Sequence, residues 1–145
     1  MQITPNFSLA EMTRTQTGLE NECPLAYSHN LLALCEMLEK MRAKVGPLVV
    51  NSGYRSPDVN RAVHGSLTSA HMYARAADVV PLRVSPAVLF DLAQEMGLAY
   101  DQIILEPSWV HIGVAEMGKE PRKEVLKAYR KTDGSMGYTH IKGRS

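Results

Sequence analysis

Residues 28–45 constrain the fold more than any other stretch of the chain. Leu31, Leu34, Cys35, Leu38, Met41 and Val45 recur at spacings of three and four, so they form one apolar stripe along a helix. Gly46-Pro47 ends that helix, because proline cannot continue it and glycine tolerates the backbone turn. A helix with a single apolar stripe needs another layer to cover it. The rest of the chain offers one. Short apolar runs at 48–51, 76–80, 102–105 and 109–114 read as strands, the second closed by Pro81. Ser85-Pro86 opens a second helix that runs to about Met96, with Gly97 after it. Ser8-Leu9-Ala10-Glu11 has the form of a capping box. Ser56 caps a short helix with Pro57 at its first position, running to about Val63. Residues 65–69 form a polar loop, and 124–129 and 138–141 flank a glycine-containing turn as a terminal hairpin. The expected class is α+β, with N-terminal helices packed on a small, mainly antiparallel sheet. With 145 residues and no repeat or linker, residues 1–145 read as one domain.

Composition narrows the function classes. A chain that is 45% hydrophobic and 21% charged is not a disordered one. No run approaches the roughly 18 apolar residues of a membrane span, so membrane insertion is not expected. Residues 1–5 lack the basic and apolar regions of a signal peptide. Cys23 and Cys35 lie too far apart for a metal-binding pair and are expected as free thiols. The net charge of +1 conceals an asymmetry. Residues 119–145 carry eight basic side chains and three acidic ones, a net of +5. That tail reads as a solvated edge hairpin, since the chain holds no nucleic-acid-binding motif.

Of five histidines, His71 and His111 have informative neighbours. Asp78 follows His71 by seven positions, and His111 sits in the apolar run Trp109-Val110-His111-Ile112. Two imidazoles and a carboxylate are a donor set that zinc accepts, leaving a fourth position open. Spacing alone also fits a histidine packed in a core. His64 reads as a loop residue near the cleft mouth, and His29 and His140 as solvated.

The order of motifs is more specific. Ser52-Gly53-Tyr54-Arg55-Ser56-Pro57 is followed by Gly65-Ser66, Ser69-Ala70-His71-Met72, Ala76-Ala77-Asp78, a helix, residues 101–106, and Trp109-Val110-His111. This series resembles the zinc-dependent D-alanyl-D-alanine carboxypeptidases and L-alanyl-D-glutamate endopeptidases, most closely their small phage-encoded branch. Residues 6–12 resemble that branch's opening, and residues 121–126 its closing hairpin.

The resemblance implies a fold shared with the hedgehog signalling domain, and one zinc per chain held by His71, Asp78 and His111. It implies that Arg55 is catalytic, gripping substrate and polarising its carbonyl; in that role Arg55 is not expected to affect zinc content. A guanidinium fork suits that task. Tyr54, Ser69 and Trp109 are further expected substrate contacts, with core packing an equal alternative for Trp109. Two departures stand out. Ala74 occupies a position where the family usually has glycine, so a different backbone path is expected after His71. Ser108 stands where many members carry the catalytic carboxylate. Glu106 is therefore assigned as general base, with Asp101 as the alternative.

The expected activity is hydrolysis of peptidoglycan stem peptides by a monomer, at a D-Ala-D-Ala or an L-Ala-D-Glu bond, in the manner of an endolysin. Synthesis in the cytoplasm and action in the periplasm or cell wall after release, or carriage on a virion, go with it. The competing expectation is a non-catalytic, zinc-stabilised module that binds cell wall or belongs to a phage particle.

Overall fold

A computed structural model describes residues 1–141. Lys142 and Arg144 of the basic tail lie outside them. The chain opens with a small hairpin, β1 (Gln2–Thr4) and β2 (Phe7–Ser8), which leads into α1 (Leu9–Met12). The capping box is complete: Glu11 N–H donates to Ser8 Oγ at 3.1 Å, and Ser8 N–H donates to Glu11 Oε1 at 3.2 Å. A 3-10 turn (Leu25–Tyr27) precedes the long helix α2 (Ser28–Val45). All six stripe residues of α2 are buried. Gly46 ends the helix with φ 88°, a backbone state that side chains with a Cβ resist.

The central sheet contains β3 (Leu48–Ser52), β4 (Ala76–Pro81), β5 (Tyr100–Leu105), β6 (Val110–Val114), β7 (Glu124–Arg130) and β8 (Met136–His140). Their spatial order is β3-β4-β6-β5-β7-β8. Every pairing is antiparallel except β5 with β7. Helices α3 (Pro57–Ala62) and α4 (Pro86–Glu95) start where Ser56 and Ser85 cap them, each with proline at the first turn. The class is α+β with a mainly antiparallel sheet, as the sequence implies.

Side-chain alternation divides the sheet into two faces. Ala77 and Val79 of β4, Ile103 of β5, and Val110 and Ile112 of β6 join one apolar core with Leu34, Leu38 and Met41 of α2 and Leu89, Phe90 and Ala93 of α4. Asp78, His111 and Ile104 have the opposite parity and line a cleft. The register aligns Ser52 with Asp78, Asp78 with His111, and His111 with Ile104. One row across three strands therefore presents polar groups away from the helices.

Several elements differ from expectation. The β1–β2 hairpin is too short to show strand periodicity. Pro81 is the last residue of β4 rather than a residue beyond it. The parallel β5–β7 pair arises because the chain after β6 returns past β5 before pairing on its far side. That return is pinned where Arg122 N–H and Nε donate to the two oxygens of Asp101, each at 3.0 Å.

Candidate active site

The loop after β3 is held before it reaches the site. Tyr54 N–H donates to Met12 O at 2.7 Å, and Asn21 Nδ2 donates to Tyr54 O at 2.8 Å. Ser56 N–H donates to Asn21 Oδ1 at 2.7 Å. Gly53 must be glycine here, because a Cβ would collide with the carbonyl of Met12. Its own carbonyl accepts from His71 Nδ1 at 2.7 Å. That bond assigns the proton to Nδ1 and leaves the lone pair of Nε2 free.

His71 lies on a 3-10 turn (Ala70–Tyr73) that Ser69 caps through its side chain. Ala74 ends the turn in the left-handed region, φ 58° and ψ 30°. Alanine holds here a conformation that glycine adopts more readily, at a cost of about 1–2 kcal/mol. His64, also expected in a loop, has φ 58° as well.

Three side chains converge on the row of the sheet. His71 Nε2 lies 3.4 Å from Asp78 Oδ1, and His111 Nδ1 lies 3.1 Å from the same oxygen. One donor atom from each of the three falls within 4.8 Å of the others. Ligands about 2.0–2.2 Å from a tetrahedral zinc stand about 3.3–3.6 Å apart, so this donor set fits the ion. Its chemistry fits too. Burial pushes the His71 pKa down and keeps the imidazole neutral. Burial alone would raise Asp78, but the two imidazoles beside it, His111 and His71, outweigh it and hold the carboxyl well below its usual range.

Arg55 joins the same cluster. Its Nη2 donates to Asp78 Oδ2 at 3.1 Å, Nε to Ser52 Oγ at 2.9 Å, and Nη1 to Asn60 Oδ1 at 3.4 Å. Two of the five guanidinium N–H groups remain for a ligand. Burial lowers its pKa while the charge of Asp78 raises it. Asn60, only 3% exposed, also donates to Ser66 O at 2.9 Å and so ties Arg55 to the loop over the cleft.

The cleft itself has a volume of about 600 Å³. Ser69, Glu106, Trp109 and Tyr138 line it beside the cluster. The indole N–H of Trp109 is buried without a partner among the described residues. Glu106 closes a turn by donating its N–H to Trp109 O at 3.0 Å. Burial raises the pKa of its carboxyl, Tyr138 lowers it, Asp78 raises it and His111 lowers it, leaving a net upward shift. Asp101 also reaches the cleft, but Arg122 occupies both of its oxygens and holds its pKa down against burial. Tyr54 departs from expectation. It is 3% exposed, joins the core beside Tyr27, and does not line this cleft. The side chain follows the tight turn at Gly53 inward.

Residues 5–113 match the family described as Peptidase M15. The chain belongs to that family. A curated relative, the zinc D-Ala-D-Ala carboxypeptidase of Streptomyces albus G, is 37% identical over 78 residues. The match covers 51% of this chain and 31% of that protein, so the M15 chain spans under a third of the relative's length. Every residue of the His71–Asp78–His111 cluster falls inside the matched segment. Three groups that complete the site, Asn21, Ser52 and Asn60, also fall inside it but escape the sequence reading. Each acts through side-chain hydrogen bonds, two or more for the asparagines and one for Ser52, and a lone asparagine or serine has no periodic signature.

Proposed function

We propose that this M15 chain is a zinc peptidase that hydrolyses peptidoglycan stem peptides, at a D-Ala-D-Ala or an L-Ala-D-Glu bond. The observation that carries the reading is the convergence of His71, Asp78 and His111, at zinc-ligand separations, on a cleft that also holds Arg55 and Glu106. His71 Nε2, Asp78 and His111 Nδ1 would hold the ion. Zinc bound there supplies Lewis acidity, polarising a carbonyl and acidifying water.

The chain's own groups supply the rest. Glu106, half-buried at the rim and with a raised pKa, accepts a proton from the attacking water and returns it to the leaving amine. Arg55 turns its two uncommitted N–H groups toward the peptide carbonyl, where negative charge develops. Ser69 offers a polar contact to the peptide backbone, and Trp109 lines the cleft beside it. The name of the Streptomyces relative supports D-Ala-D-Ala as the first bond to test. Action in the periplasm or cell wall, on a bacterial host's peptidoglycan, follows from that substrate.

Mass spectrometry of purified muropeptides after incubation with zinc-loaded protein tests the proposal. Release of a single alanine from pentapeptide stems identifies a carboxypeptidase, and separation of L-Ala from the D-Glu peptide identifies an endopeptidase. Zinc binding without cleavage of any muropeptide would instead establish a non-catalytic cell-wall or structural module.

A further inference from the structure

The terminal hairpin, β7 and β8, begins after the segment matched to the M15 family ends. It nevertheless reaches the site. Leu105 pairs with Lys127 across β5 and β7, and Ala128 pairs with Tyr138 across β7 and β8. Glu106, the residue after Leu105, therefore lies two strands from Tyr138, about 9–10 Å at ordinary strand spacing. The two side chains span that gap. Tyr138 Oη donates to Glu106 Oε1 at 3.2 Å, with Oε2 at 3.4 Å. Tyr138 is 47% exposed and lines the cleft, so its ring is not held there by core packing.

We propose that Tyr138 is a positioning residue for Glu106, which makes the terminal hairpin part of the catalytic apparatus rather than a solvated edge. This rests on the reading of Glu106 as general base. The turn at residues 106–109 fixes the backbone of Glu106 but leaves its long side chain free to rotate. A phenol hydroxyl shared between both carboxylate oxygens restricts that rotation. It also favours the ionised form, which is the form that accepts a proton. The charged or titratable groups acting on this carboxyl are Tyr138 from β8, Asp78 from β4 and His111 from β6. Of these, Tyr138 is the one that can be altered without touching the metal cluster.

Tyr138→Phe removes only the hydroxyl. In the zinc-loaded protein, the carboxyl carbon of Glu106, followed by NMR across pH, should titrate at higher pH in the variant than in the wild type. The variant's kcat should fall roughly 3- to 10-fold, as for one lost hydrogen bond. Its KM and zinc content should hold steady, and the acidic limb of the kcat profile should shift in the same direction as the NMR titration. An unmoved Glu106 titration overturns the proposal, and so does a shifted titration with unchanged kcat. Glu106→Gln, measured in parallel, separates this from the wider reading. Full activity in Glu106→Gln removes Glu106 as the base and the role of Tyr138 with it. Low activity there, together with an unmoved titration in Tyr138→Phe, removes the role of Tyr138 alone.

Discussion

At the scale of single residues, Arg55 shows how a side chain can serve two tasks. The resemblance implies a substrate contact, and on that role alone zinc content is expected to be independent of Arg55. The structure adds a bond from Arg55 Nη2 to Asp78 Oδ2 at 3.1 Å, opposite the oxygen that faces both histidines. Groups that orient a ligand typically change metal affinity about 10–100-fold when removed. Arg55→Ala should therefore weaken zinc binding by about that factor, on top of a turnover loss of about 10²–10³ from the missing oxyanion donor. Zinc titration by calorimetry, beside kinetics at saturating zinc, separates the two effects. Unchanged zinc affinity would restore the single role. Arg55→Lys should recover little of either, since one ammonium cannot reproduce the fork that joins Ser52, Asn60 and Asp78. The two thiols give a second contrast. Cys35 is buried in α2, and burial, reinforced by the charges of Glu39 and Glu11, pushes its pKa up to about 12. Cys23 is partly exposed and less perturbed. A thiol reagent at pH 8 should label Cys23 and spare Cys35 until the chain unfolds. Because the folded pKa of Cys35 is the raised one, its contribution to stability is complete below the unfolded value, about 8.5. That contribution should fade as pH climbs toward 12, and Cys35→Ala should flatten this alkaline slope in denaturant melts.

At the scale of elements, the helices were the most legible part of the chain. Residues 28–45 form the helix their spacing predicts, to the residue, because five turns of one stripe leave no competing period. Ser8, Ser56 and Ser85 each cap the helix the sequence assigns to them. The elements that escaped are those whose information is tertiary. The β1–β2 hairpin pairs only a few residues, and the parallel β5–β7 contact depends on where the chain returns after β6. The site divides along the same line. His71, Asp78 and His111 can be read from motif order, whereas Asn21, Asn60 and the buried position of Tyr54 follow from how the loop after β3 is pinned. That loop yields a test. Gly53→Ala would place a methyl group against the Met12 carbonyl, a backbone atom that cannot step aside. Overpacking of this kind costs about 1–3 kcal/mol. The same shift displaces the carbonyl that orients His71, so the variant should lose zinc affinity as well as stability. A lower melting temperature with normal zinc binding would show that Gly53 matters for packing alone.

At the scale of the whole molecule, the donor cluster and the apolar core occupy opposite faces of the sheet. Asp78 Oδ2 accepts from Arg55, and His71 Nδ1 is anchored to the carbonyl of Gly53. Asp78, His111 and His71, the candidate ligands, come from β4, β6 and the 3-10 turn, and the first two belong to a sheet whose other face is covered by α2 and α4. None of these three donors belongs to the apolar core that holds the strands in register, so the fold is expected to form without zinc. This differs from small zinc domains, in which binding and folding are a single event. Chelation should therefore abolish hydrolysis while the far-ultraviolet circular dichroism stays that of the native protein. The metal still stabilises the chain by mass action. Free zinc at 100 times its dissociation constant adds about 2.7 kcal/mol. For a domain of this size, that raises the melting temperature by roughly 5–11 °C. The shift should grow with the logarithm of the free zinc concentration, and His71→Ala or His111→Ala should suppress it. A collapse of the circular dichroism on chelation would assign the ion a folding role and refute the independence of core and site. A melting temperature indifferent to zinc would show instead that His71, Asp78 and His111 do not hold it.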